Sequence, residues 1–219
     1  KPDALDFSVI KEILGCPNEM PALEFIESIT DPRKRADAFD ELNRFESRAA
    51  ANSEPNPGSE NLIQAIHSKG LPMGLVTRNS MDSVKEALKN FNNISLDYFD
   101  VVITRDDPVK PKPSPESILL AARKLNVDPA HVLMVGDFIF DIDAGRSAGT
   151  LTALLDVNPR VDKHRLECDI IISCLADLEP VLEQVMDVVF EHLLVDRGFI
   201  VLFDEEGTPQ LERFRTRES

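Results

Sequence analysis

From Gly58 onward the chain alternates short apolar runs with amphipathic stretches, and no other feature restricts its fold as much. Short strands are expected at 73–76, 101–104, 131–135, 151–155 and 169–172. Before and between them lie helical stretches presenting Leu62, Ile63 and Ile66, then Val84, Ala87, Leu88 and Phe91, then Ile118, Leu119, Ala122 and Leu125. Strands separated by helices of roughly 10–15 residues predict an α/β fold, a doubly wound parallel sheet with helices on both faces. In such a sheet the carboxyl ends of the strands share one edge, and ligands bind there.

Residues 131–149 carry the most chemistry. An apolar run, 131–135, is bounded in front by 126–129 and ends in Gly136-Asp137; Asp141 and Asp143 follow, and a helix reads out through Ala144 and Ala148 to Gly149. Carboxylates gathered at a strand end suit a hard cation such as Mg²⁺, which takes oxygen ligands and keeps several waters. A plainer reading stands beside this one, because Asp at a helix start also caps it and complements the helix dipole. Two upstream residues weigh against capping alone. Thr77 follows the 73–76 strand, and Lys112 opens the helix after the 101–104 strand, with Ser114 as its cap and Pro115 in its first turn. Taken singly, Thr77 could be a strand-end cap and Lys112 a solvated loop charge. Together on one sheet edge, a hydroxyl, an ammonium and a metal-bearing carboxylate pair form a site for a phosphoryl group.

Residues 1 to about 52 show helical periodicity and no strand pattern. Asp6 is expected to cap a helix that faces inward through Phe7, Ile10, Ile13 and Leu14 and stops at Gly15. Pro21 opens a second helix with Leu23, Phe25, Ile26 and Ile29. Asp31-Pro32 starts a third, with Ala38, Phe39, Leu42 and Phe45 inward. The expected organisation is a helical domain at 1–55 with its linker at 50–57, an α/β core at 56–180 and a tail at 181–219.

The net charge of −15 argues against a binder of nucleic-acid backbones, yet allows an anionic substrate met locally by Lys or Arg and a metal. Three cysteines, Cys16, Cys168 and Cys174, lack metal-ligand spacing and suggest reduced, buried thiols in a cytoplasmic protein. No apolar stretch approaches the roughly 18 residues needed to span a bilayer.

At these residues the chain resembles the haloacid dehalogenase-like hydrolase superfamily, in its phosphoglycolate-phosphatase-like branch. The likeness is carried by Met73-Gly74-Leu75-Val76-Thr77-Arg78-Asn79, by Lys112-Pro113-Ser114-Pro115-Glu116, and by Gly136-Asp137 through Asp141, in that order, and covers about residues 1–182. Lys110 also precedes a proline, but the helix that follows aligns better with Lys112. The resemblance implies a Mg²⁺-dependent phosphatase of a small phosphorylated metabolite, working through an aspartyl-phosphate. It implies catalytic roles for Thr77, Lys112 and Asp137, phosphate binding by Thr77, Arg78, Asn79 and Lys112, and Mg²⁺ held by Asp137 and Asp141. Residues 1–52 would be the mobile cap that excludes water.

The family's first motif, a strand ending Asp-x-Asp-x-Thr that carries the nucleophile, is absent from its expected place before the cap. The expectation is a segment upstream of Lys1 that supplies it. A less favoured alternative is a circular permutation placing Asp204 there, although the run 199–207 reads better as a β-hairpin. The helical stripe Leu182, Val185, Met186, Val189, Phe190, Leu193 and Leu194, with Asp196-Arg197-Gly198-Phe199, resembles more weakly the opening of a GAF-type sensory module. It is also a candidate homodimer surface. Rival functions are a non-catalytic phosphate-binding or interaction scaffold and a phosphomutase of the same superfamily. A dehalogenase fits less well, because that chemistry does not need the metal carboxylates.

Overall fold

Two units organise the residues described in the computed structural model, 7–156 and 167–178. Of these residues, a helical unit takes in those up to Pro55 together with Asn79–Leu96, and an α/β unit takes in Asn56–Arg78 and those from Asp97 to Leu178.

The helical unit contains α1 (Phe7–Leu14), α2 (Ala22–Ser28) and α3 (Pro32–Ala51). Asp31 caps α3, its carboxylate accepting from the N–H groups of Arg33 at 2.9 Å and Lys34 at 3.4 Å, with Pro32 in the first turn. That arrangement satisfies backbone donors that have no partner inside the helix. Ile10, Leu23, Ile26 and Leu42 form the core, with Phe25, Phe39 and Phe45 packed against it. Ile13 departs from the expected inward face: it is 58% exposed, because the short helix α1 turns its buried side through Ile10 instead. The stretch 79–96, which the strand–helix alternation assigns to the core, clusters with the helices. Its helix α5 (Met81–Leu88), capped by Ser80, packs along α3, and Asn90 donates to the Ala50 carbonyl at 2.8 Å. Periodicity marks a helix but does not say which neighbour takes its apolar face.

The α/β unit begins with α4 (Ser59–Ser68) and β1 (Gly74–Val76), then β2 (Val101–Ile103) and α6 (Glu116–Leu125). It continues with β3 (Leu133–Gly136), α7 (Ile139–Ala148), β4 (Leu151–Leu155) and β5 (Ile170–Ile172). Gly58 takes the position before α4. Its φ of +81° favours glycine, and a Cβ there would stand 2.9 Å from the Ala176 nitrogen. Every strand pair is parallel, as expected. Leu133 and Val135 pack toward Leu62 and Ile66 of α4, while Met134 packs toward Ala144 and Ala148 of α7, so helices cover both faces.

Among the described residues the strands form two sheets, β1–β2 and β3–β4–β5. Among the described residues β1 pairs only with β2, and β3 only with β4 at this end. Val76 of β1 and Met134 of β3 nevertheless pack on one cluster, Ile118, Ala144 and Ala148. The inner strands thus share a helical layer without sharing a hydrogen-bond ladder.

No disulfide joins the cysteines; Cys16 is buried, as expected, whereas Cys168 and Cys174 are half-buried. Among the described residues no helix is long and apolar enough to cross a membrane. The expected Asp6 cap, the stripe 182–194, the hairpin at 199–207 and Asp204 lie outside the described residues.

Candidate active site

Glycine at position 136 is dictated by crowding. A Cβ there would lie 2.1 Å from the Asp141 Cβ, so only glycine lets β3 end directly beneath the first turn of α7. That close approach brings Asp141 back over the strand end. Its Oδ2 accepts from the Phe138 N–H at 3.1 Å, which is the capping role anticipated as the plainer reading. Its Oδ1 lies 2.5 Å from the Lys112 ammonium. Capping and ion pairing therefore coexist in one carboxylate.

Lys112 is 8% exposed and Asp141 7%. Removing two charges from water is costly unless they pair and their remaining donors are met. The Lys112 ammonium meets this condition twice, at Asp141 and at the Val76 carbonyl, 2.8 Å away at the end of β1. Lys110 behaves differently: its ammonium lies 3.4 Å from Glu116 on the surface. Thr77, directly after Val76, extends the β1–β2 ladder through its N–H to the Ile103 carbonyl at 2.9 Å. Thr77 is half-buried. The site thus spans the ends of β1 and β3 with Lys112 as the link.

Asp137 stands at the rim, and its carboxyl is held above the usual carboxylate range. Partial burial is the main cause and the Asp141 charge the next, opposed by its own backbone N–H and by Lys112. Asp143 does not complete a cluster, since no group of three or more Asp, Glu, His or Cys side chains among the described residues is placed to hold a metal. Any cation would rest on the Asp137–Asp141 pair. Two repelling carboxylates form a donor set that a hard divalent cation would relieve, with waters and substrate oxygens completing its shell.

Arg78 lies in the same unit as these groups, whereas Asn79 belongs to the stretch that clusters with the helices. One guanidinium nitrogen of Arg78, Nη1, donates to the Lys112 carbonyl. The guanidinium also sits 4.9 Å from the centroid of the Phe140 ring. Arg105 Nη1 donates to the Arg78 carbonyl at 3.2 Å. Phe140 packs edge-to-face against Phe138, their centroids 5.0 Å apart. Phe140 and Arg105 are not defining residues of the sequence motifs; an aromatic residue between Asp137 and Asp141 is the one signal of them.

A model of the family described as haloacid dehalogenase-like hydrolase matches residues 2–155. Over 193 residues the chain is 30% identical to the N-acetylmuramic acid 6-phosphate phosphatase of Pseudomonas putida, an alignment covering 84% of this chain and 83% of that protein. Over 185 residues it is 29% identical to an uncharacterised hydrolase of Saccharomyces cerevisiae, covering 83% of each. Among solved structures, a hydrolase from Pseudomonas syringae matches with a TM-score of 0.67 at 19% identity. That match covers 80% of this chain and 88% of the other, and it is a likeness of fold.

Proposed function

The chain belongs to the haloacid dehalogenase-like hydrolase family, and on that premise we propose that it is a Mg²⁺-dependent phosphatase of a small phosphorylated metabolite in the cytoplasm. One observation carries the proposal: a buried ammonium, Lys112, bonded at once to the end of β1 and to Asp141 beside the end of β3. Such a cation serves an anionic group held at this edge.

In this function Lys112 neutralises the phosphoryl oxygens and fixes the carboxylates around it. Thr77 supplies a hydroxyl and adjacent backbone N–H groups to the same oxygens. Asp137 and Asp141 would hold Mg²⁺, which when bound spreads the charge that builds on the transferring group. The attacking carboxylate, on which an aspartyl-phosphate would form, is not among the groups just described. The inner edges of β1 and β3, each paired on one side only among the described residues, would accept a strand that carries it. The phosphatase of Pseudomonas putida, at 30% identity, supports a phosphorylated sugar or a metabolite of similar size as substrate. The charge of −15 speaks against nucleic acid as partner.

Phosphate release from p-nitrophenyl phosphate in the presence of Mg²⁺ tests this function. Loss of release in both Lys112→Ala and Asp137→Asn is the expected result; full activity in either variant contradicts it. Mg²⁺-dependent phosphate binding by the wild-type protein without turnover would favour a phosphate-binding scaffold instead.

A further inference from the structure

We propose that Arg78 and Phe140 form a brace that positions Lys112, and that Arg78 acts through this lysine and not as a ligand of the phosphoryl group. This rests on Lys112 being the phosphate-facing ammonium. Lys112 is carried by the loop that runs from Thr104 to the start of α6, and an ammonium on a loop is only as well placed as its main chain. Two contacts hold its tip, the Val76 carbonyl and Asp141. Its own carbonyl is held by Arg78 Nη1.

The same guanidinium lies over the Phe140 ring, 4.9 Å from its centroid. Phe140 sits in the first turn of α7, next to Asp141, and its ring is oriented by the edge-to-face contact with Phe138. Arg105 Nη1 closes the arrangement from the segment after β2 by donating to the Arg78 carbonyl at 3.2 Å. The segments following β1 and β2 and the turn following β3 are therefore tied together through one planar cation. Arginine suits this task, because a guanidinium can donate in its plane while an aromatic ring covers its face. Lysine has neither the plane nor the fork.

The test reads Lys112 directly and needs no turnover. Lys112 is labelled with acetic anhydride under limiting reagent and its modification rate is followed by mass spectrometry, with circular dichroism confirming the fold of each variant. Binding of inorganic phosphate with Mg²⁺ is measured in parallel by calorimetry. Arg78→Lys and Phe140→Leu are each expected to speed Lys112 labelling about fivefold. The double variant should be no faster than either alone, since the two residues act as one unit, and Phe140→Tyr, which keeps the ring, should label as wild type. Phosphate affinity should fall equally in Arg78→Lys and Phe140→Leu. Unchanged labelling in Arg78→Lys would overturn the brace. So would phosphate affinity that falls in Arg78→Lys and stays intact in Phe140→Leu, which would make Arg78 a direct anion ligand. If Lys112→Ala retains phosphate release, the function proposed above fails while the labelling pattern still decides the brace.

Discussion

The helical unit carries an exposed ion pair on α3, whereas the α/β unit, alongside surface pairs such as Lys110–Glu116, buries one at its strand ends. On α3 the Arg44–Glu41 pair, 3.0 Å apart, keeps its side chains 68% and 39% exposed. In the α/β unit Lys112 and Asp141, 2.5 Å apart, have side chains only 10% and 9% exposed. The first arrangement costs little to make and little to lose. The second carries a desolvation penalty that the geometry offsets only while both partners remain. The helical unit packs an apolar core around Ile10, Leu23, Ile26 and Leu42, and the α/β unit keeps a costly polar centre where its chemistry would occur.

Breaking that centre should have the largest effect. Lys112→Ala leaves Asp141 buried without its cation, with an expected loss of about 3–5 kcal/mol in urea unfolding and a fall in phosphate release of about 10²–10³-fold. A cavity in the other unit should match the stability loss without touching the site. Ile26→Ala, at a fully buried position, should cost about 2–5 kcal/mol while Mg²⁺-dependent phosphate binding, measured by calorimetry below the unfolding transition, stays at the wild-type value.

Asp137→Asn should act with the opposite sign. Partial burial and the Asp141 charge raise the pKa of Asp137, so the folded chain binds that proton more tightly than the unfolded chain does. Stability then declines as pH rises from the ordinary carboxylate range through the raised folded value, and the cost of the charge is fully present above it. Without Mg²⁺, Asp137→Asn should be the more stable protein near neutral pH and should flatten that decline. Thermal midpoints across the acid range check this.

Smaller effects belong to the surface. Asp31→Ala removes the α3 cap and should cost about 1 kcal/mol. Lys110→Ala breaks an exposed pair two residues from Lys112 and should change stability by less than about 0.5 kcal/mol. Comparable losses for Lys110 and Lys112 would erase the distinction between a surface pair and a buried one.

Much of this was legible because it follows from local or topological rules. Asp31 precedes Pro32 at a helix start, and capping is settled within three residues. Residues that follow parallel strands gather toward one edge, so the gathering of Thr77 and Asp137 after β1 and β3, with Lys112 on the loop after β2, follows from chain order. The brace at Arg78 was not legible, since it depends on where a long side chain folds back and which ring it meets. Nor was the pairing of α5 with α3, because an amphipathic stripe does not name its partner. Gly58 stands at the start of α4 for a tertiary reason, the close approach of Ala176.

Calorimetric titration of inorganic phosphate, with and without Mg²⁺, into the wild-type protein and into Asp137→Asn and Lys112→Ala tests most directly whether the ends of β1 and β3 gather these groups around one anion. Binding that requires Mg²⁺ and disappears in both variants is the predicted result. Phosphate bound equally well without the metal, and by all three proteins, would contradict it.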